Sequence, residues 1–588
     1  MTAASSARRD DEGAPSSRGR GPTPAVLRTV LRQTTDLASG GPARGRRLAR
    51  AAHRSAEVTG DLRAVPRLLA EARRADPHAD TRLPWVTAAA AKQLHGDGDI
   101  DTSHRVLLEA LESSLLDGDL EGRLDDDVVD ALHLLRDVCA SGGRDELWAP
   151  LLRLLERLRP LLPDTLRVPG AAAPAPDPLL TAVDGLADER DPRRIVRVAD
   201  AAFDLDRGIG CADALRRVVR DGRSGGAVAS AINALRILAL DAYQEGRWTA
   251  AEDLATEALE ACADRGLPLL AAPARWCLAL VAAARGDDAV VGALTDELTA
   301  WGVPRGARQL VVHAGQARAL AALGRGDFED AWREATAPGP AGLREPRGPA
   351  LWAALDVVEA AVRTHRFPEA RAHVAAVRAA LTPAHSPRLA LLAAGATAMT
   401  ASDDRAGALY EAAFALPDAQ RWPFDLAPLR LAHGEQLRRA RSTTAAREQL
   451  LLALDTFTDL GARPWVARAS TELRAAGHAT DRGPGGPRRA GQPLLTAQER
   501  EVAGLAASGM TNRQIADRLH LSRRTVDAHL YRVFPKLDIT GRAALRDALD
   551  RLGDRPASPG HYTDVPPEPA EQPGIPRSDS PEPPRSTP

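Results

Sequence analysis

Apolar residues recur along this chain at helical spacing, in stretches of 12–18 residues separated by short turns built on Gly and Asp. That periodicity predicts one helix after another. The stretches also repeat. Taking Trp248, in Gly-Arg-Trp-Thr-Ala-Ala, as a marker, matching positions fall at Asp288, Phe328, Phe367, Arg405 and Thr443, with successive spacings of 40, 40, 39, 38 and 38 residues. Three residues after each marker stands a small or branched apolar residue: Ala251, Val291, Ala331, Ala370, Ala408 and Ala446. Upstream, Gly-Asp-Leu62 and Gly-Asp-Ile100 repeat the turn at a spacing of 38.

Packing explains such a repeat. A small side chain early in the second helix of a hairpin lets that helix lie close against the first. One hairpin cannot bury its apolar stripe alone, so neighbours must stack. The period is slightly longer than that of a strict tetratricopeptide repeat, and no repeat matches the full consensus of that family. The expected fold is all-α: a tetratricopeptide-like helical-hairpin solenoid over residues 43–475, least regular between 130 and 230, followed by a four-helix C-terminal domain. A non-repetitive helical bundle is the alternative.

Composition divides the chain. Residues 1–24 and 553–588 are polar or Pro-rich and are expected to be disordered tails. Helical hairpins with degenerate repeats fill 25–168, a Pro/Ala-rich break covers 169–178, and the repeat array proper occupies 179–478. A Gly/Pro linker spans 479–493 and leads to a last folded segment, 494–552.

That last segment carries the sharpest signals. Thr496-Ala-Gln-Glu499 reads as a capping box, and the helix it opens places Val502, Leu505 and Ala506 on one face before stopping at Gly509. Thr511-Asn-Arg-Gln514 is a second capping box, opening a short helix with Ile515, Ala516 and Leu519 inward. After the turn at His520-Leu521, Ser522 caps a third helix whose Val526, Leu530, Val533 and Leu537 form a single apolar stripe. A fourth helix runs from Arg542 to Leu552. Two helices joined by so short a turn make a helix-turn-helix, and the polar face of the third is left for DNA. From 494 to 552 one Lys and nine Arg oppose seven carboxylates, so this segment is basic inside a chain whose formal net charge is −2.

Residues 494–552 resemble a LuxR-type helix-turn-helix domain at Leu495-Thr-Ala-Gln-Glu-Arg-Glu-Val502, Gly509-Met-Thr-Asn-Arg-Gln-Ile-Ala516, Leu521-Ser-Arg-Arg-Thr-Val-Asp-Ala-His529 and Phe534-Pro-Lys-Leu537. The resemblance implies that Asp527, Ala528 and Tyr531 face base edges. It implies phosphate contacts from Asn512, Arg513, Arg523, Arg524, Thr525, His529, Arg532 and Lys536, and dimer pairing through Leu545, Leu549 and Leu552 of the fourth helix. Two departures stand out: Gly541 replaces the usual Ser cap, and Pro535 should end or kink the third helix. An acid at 527 either accepts from a cytosine amino group, disfavours wrong partners, or points to solvent.

The helical region resembles that of the large ATP-binding LuxR regulators at Trp422-Pro-Phe-Asp-Leu-Ala, Gly434-Glu-Gln-Leu-Arg-Arg-Ala-Arg441 and Leu460-Gly-Ala-Arg-Pro-Trp-Val-Ala467. Their nucleotide-binding module is not expected here. A phosphate-binding loop needs a Gly-rich turn ending in Lys-Ser/Thr. The two lysines of the chain, Lys92 and Lys536, stand in no such turn, and Gly208-Ile-Gly210 is an isolated pair. No cofactor is expected.

Other chemistry is weakly supported. Cys139, Cys211, Cys262 and Cys277 form no Cys-x-x-Cys pair and lie in apolar stretches, so buried thiols are expected rather than a zinc site or disulfides. His313, His365 and His433 are scattered, without a metal-binding or nucleophile motif, so no enzyme is expected. The absence of an 18-residue apolar run and of a secretory h-region points to a cytoplasmic chain without membrane contact. The expected function is a transcription regulator that binds double-stranded DNA as a homodimer. Its solenoid would sense a small molecule or protein, and RNA polymerase is a further possible partner. The alternative is an interaction scaffold whose terminal domain serves assembly.

Overall fold

The computed structural model describes residues 41–117, 123–167, 178–337, 348–381, 385–477, 497–519 and 541–551, with Val526, Leu530, Val533, Phe534, Leu537 and Ile539 between the last two segments. Every regular element among them is helical. They belong to two compact units, Met1–Pro487 and Arg488–Pro588.

The first unit opens with α1 (Pro42–Arg54), α2 (Ala64–Ala75), α3 (Leu83–Asp97), α4 (Ile100–Asp117), α5 (Asp126–Gly142) and α6 (Asp145–Leu158). A less regular stretch follows, where short 3-10 turns alternate with α7 (Pro178–Asp184), α8 (Pro192–Asp204) and α9 (Ala212–Arg223). Six hairpins come next: α10 and α11 (Val228–Gln244, Trp248–Arg265), α12 and α13 (Pro268–Arg285, Asp288–Gly302), α14 and α15 (Arg308–Arg325, Phe328–Thr336). They continue with α16 and α17 (Ala354–Arg363, Phe367–Ala380), α18 and α19 (Pro387–Met399, Asp403–Phe414), and α20 and α21 (Pro423–Arg439, Thr443–Leu460). A single helix, α22 (Arg463–Ala475), ends the unit. One continuous apolar core runs from Ala49 to Ala476.

The two helices of a hairpin differ in what they bury. In α10, every residue from Ala229 to Gln244 is buried except Asn233 and Arg236, as expected of a helix enclosed on several sides. In α11 burial is confined to Trp248, Ala251, Ala255, Ala258 and Cys262, a single stripe of mostly small residues. The first helices therefore form an inner layer and the second helices an outer one. At the head of each outer helix the small residue sits flush against its partner: Ala251, Ala331, Ala370 and Ala446 are fully buried, and Val291 nearly so.

The turn inside each hairpin explains the repeat length. Gly246, Gly286 and Gly326 adopt left-handed φ values of 75°, 77° and 80°, and His365 and Arg441 hold the equivalent turns at 60° and 62°. Such φ is natural for glycine and strained for the other two. The fifth hairpin lacks a left-handed residue here. Ser402 enters its outer helix in an extended conformation, so that helix begins at Asp403. The sequence marker Arg405 is thus two residues late: Ala406 is the buried small residue, whereas Ala408 is exposed.

The array also folds back on itself. Helix α22 packs on α12 and α14, α20 reaches α10, and the N-terminal helices α3 and α5 pack on α12 and α14 respectively. Pro464 presses into Gly286 and Gly324, where a Cβ would come within 2.5 and 3.1 Å of its ring.

Candidate nucleic-acid interface

The second unit is built by the motifs that its sequence announces. Helix α23 (Ala497–Ala507) ends at Gly509, whose φ of 98° reverses the chain. The amides of Gly509 and Met510 donate back to Ala506 and Leu505, which satisfies the last carbonyls of the helix. Helix α24 (Asn512–Leu519) follows at once. Its capping box is closed in both directions: the Gln514 amide donates to Thr511 Oγ1 at 3.3 Å, and the Thr511 amide to Gln514 Oε1 at 2.8 Å. The first capping box, at Thr496, lies outside the described residues.

Val502, Ala503 and Ala506 of α23, Ile515 and Ala516 of α24, and Val526, Leu530, Val533 and Leu537 share one small core. These last four, spaced 4-3-4, all turn inward. The chain closes there through the amides of Leu537 and Ile539, which donate to Val533 and Phe534. The expected base-facing residues Asp527, Ala528 and Tyr531 lie outside the described residues. So do Arg523, Arg524, Thr525, His529, Arg532 and Lys536, and the departure at Pro535.

Of the expected phosphate contacts, Arg513 is exposed on α24. Asn512 is half-buried, and its Oδ1 accepts from Arg542 Nη1 at 2.6 Å. The fourth helix begins as a 3-10 turn at Arg542–Ala544 and continues as α25 (Leu545–Arg551); Gly541 provides no side-chain cap. Leu545 and Leu549, which the resemblance assigns to pairing, are 0% and 4% exposed in the core of their own domain. Residues buried there are not available to a second chain, so a pairing surface on α25 has to use its exposed positions. Leu552 lies outside the described residues.

Two positioning residues escape a reading of sequence pattern. Arg542 donates to the carbonyls of Ala506 and Met510 as well as to Asn512, and Arg546 donates to the Ala507 carbonyl at 2.9 Å. Both guanidinium groups thus sit at the negative end of α23. They tie the fourth helix to the turn between the first two. Only their place at the start of a helix after a glycine hints at this role.

All four cysteines are free and buried, and burial pushes their thiols up to about 12. No group of His, Cys, Asp and Glu suited to a metal ion occurs among the described residues, and no described helix is long and apolar enough to cross a membrane.

Comparison with known proteins agrees with this architecture. The family model of bacterial regulatory proteins, luxR family, matches residues 493–548. The spore germination protein GerE of Bacillus subtilis is 38% identical over 63 residues, which cover 85% of it and 11% of this chain. A Mycobacterium tuberculosis protein named as an HTH-type transcriptional regulator is 38% identical over 93 residues, 16% of this chain. The DNA-binding transcriptional activator DevR/DosR of the same species is 46% identical over 48 residues, covering 8% of this chain and 22% of that one. The match spans only 10% of the length of the long mycobacterial relatives. A solved circular tandem repeat protein covers 77% of this chain and 96% of its own at 16% identity, but its TM-score of 0.14 is too low to inform the fold.

Proposed function

Since this chain belongs to the luxR family of bacterial regulatory proteins, we propose that its C-terminal domain reads a specific double-stranded DNA sequence as one half of a homodimer. The hairpin unit would govern that binding in response to an effector. The observation that carries this reading is the small core in which Val526, Leu530, Val533 and Leu537 pack with the two preceding helices, as in a helix-turn-helix whose second helix enters the major groove. A single helix-turn-helix covers only about 600–1,000 Å². Phosphate contacts alone give dissociation constants of about 10⁻⁴ to 10⁻⁶ M. Selective control therefore calls for two half-sites. The work would be done in the cytoplasm, with RNA polymerase as a further partner.

Roles divide by chemistry. Arg513, Arg523, Arg524, Arg532 and Lys536 supply charge for phosphates, with hydrogen bonds from Asn512, Thr525 and His529. Asp527, Ala528 and Tyr531 form the reading edge. Gel-retardation titrations of the full chain across salt test this division. Arg524→Ala is expected to weaken binding to every sequence and to reduce the salt slope by about one. Tyr531→Ala should chiefly change site preference, by about 1–3 kcal/mol at the affected base pair. Unchanged affinity and preference in both variants would overturn the assignment, and no retardation of any genomic fragment would favour an assembly scaffold.

A further inference from the structure

Helix α22 and the first helices of all six hairpins converge on one cavity of about 40 Å³. A single water needs about 10–15 Å³ on that scale, so the space suits a few waters or a molecule of a few heavy atoms. Four aromatic side chains line it: Tyr243, Trp352, Phe424 and Trp465, none more than 8% exposed. Ring faces attract cations, and two guanidinium groups already use this property: Arg388 lies 5.1 Å from the centre of Trp352, and Arg468 4.7 Å from that of Trp465.

The ionic partners around the cavity do not balance. Arg388 serves Asp425, at 2.6 Å, and Asp206, at 3.1 Å. Arg468 and Arg363 serve Glu359, and Arg363 also holds Glu435 at 2.5 Å. Asp356 lines the cavity with neither a hydrogen bond nor an ion pair among the described residues; it feels Glu359, Asp425 and Arg388 only through space. Trp465, a residue 1% exposed, lines the same space with its ring, while its indole Nε1 is sealed off beside Gly324. The Asp356 carboxyl, once ionised, asks for a cation that the chain does not supply.

We propose that this cavity binds a small organic ammonium ion, with its charge on Asp356 and its carbon atoms against the surrounding rings. This rests on the reading of the hairpin unit as an effector-binding unit, and it names the class of effector. It also gives the effector a physical hold on the unit. Trp465 belongs to α22, the last helix before the chain continues to the DNA-binding domain, so an occupant bears directly on how α22 is seated.

Protonation competes with the cation for the same carboxyl. Burial, together with Glu359 on its own helix and Asp425 on α20, pushes Asp356 up to about 8, against the pull of Arg388 on α18; Tyr243 of α10 lines the same cavity. At pH 7 only about one-tenth of such a group is ionised. An entering ammonium ion must therefore displace a proton, and affinity should rise about tenfold for each unit of pH increase up to about 8.

Calorimetric titration of the full chain with ethanolammonium chloride, small enough for a cavity of this size, tests the proposal. The expected result is saturable binding that equal sodium chloride does not reproduce. Asp356→Asn should weaken it at least tenfold while melting no lower than the parent at pH 7. Should that variant fold poorly, the parent alone is decisive: titrations in two buffers of different ionisation enthalpy should show close to one proton released per ligand at pH 7. Absence of saturable binding, equal binding by Asp356→Asn, or no proton release would each overturn the proposal. DNA retardation by the unliganded chain is scored separately, so failure of the cavity reading is distinguishable from failure of the regulator reading.

Discussion

Asp241 on α10 is 5% exposed, and its Oδ2 has no hydrogen-bond partner. Burial, then the neighbouring Asp206 and Glu245, push its carboxyl up to about 8, with Arg247 and Arg388 opposing. A carboxyl whose pKa is higher in the fold than in the unfolded chain binds its proton more tightly when folded. Its contribution is favourable below the ordinary carboxylate range and is lost as pH rises from about 4 to about 8. Asp241→Asn keeps the shape and removes the titration. Its melting temperature is expected to exceed the parent's by a few degrees at pH 8 and by clearly less at pH 5; equal gaps at both pH values would show that the carboxyl is held ionised. The same burial makes the other reactive-looking side chains quiet. His313, stacked 4.0 Å from Trp276, is pushed down to about 3, and His373 to about 4, so neither imidazole carries charge near neutral pH.

At the scale of helices, the hairpin is a contact between a small residue and the inner helix. The fifth hairpin offers the sharpest test, because its register differs from the one that period alone suggests. Ala406 is 4% exposed and faces its partner, whereas Ala408 two residues on is exposed. Ala406→Leu should cost about 1–3 kcal/mol by overpacking, and Ala408→Leu close to nothing, as read from urea melts; the reverse order would restore the register suggested by spacing. The period itself is legible in the sequence because packing demands a small residue at one helical position in every hairpin. The fifth register is not, because it depends on a turn without a left-handed residue, and Met399-Thr-Ala-Ser-Asp403 carries no glycine to mark the difference. The terminal domain shows the same limit. Its apolar stripes, the Thr511 box and the Gly509 cap can be read locally. Periodicity puts Leu545 and Leu549 on one face but cannot say whether that face meets its own core or another chain. Nor does it show Arg542 reaching across 30 and 36 residues to Asn512 and Ala506.

A stack of hairpins that touch only their neighbours unfolds in stages, since no contact links distant repeats. The hairpin unit here is tied differently. Arg463 donates to the Arg285 carbonyl and Arg468 to that of Leu323, contacts spanning 178 and 145 residues. Trp465 stands between them, 1% exposed, with Phe424 and Phe457 at ring-centre distances of 5.7 and 5.6 Å. Helix α22 thus joins the end of the array to its second and third hairpins, and the unit should unfold as one body. Trp465→Ala removes the centre of this closure at a cost of about 3–5 kcal/mol. Because the lost contacts belong to α12 and α14 as well, the damage should not stay in α22. Hydrogen exchange is expected to quicken at the ends of both inner helices, around Arg285 and Leu323, and the urea transition of the unit should split in two. A variant that merely frays α22, with one sharp transition and unchanged protection at Arg285 and Leu323, would show that the array stands without its closure. The cavity, walled on one side by the same tryptophan, would then have no lever on the rest of the chain.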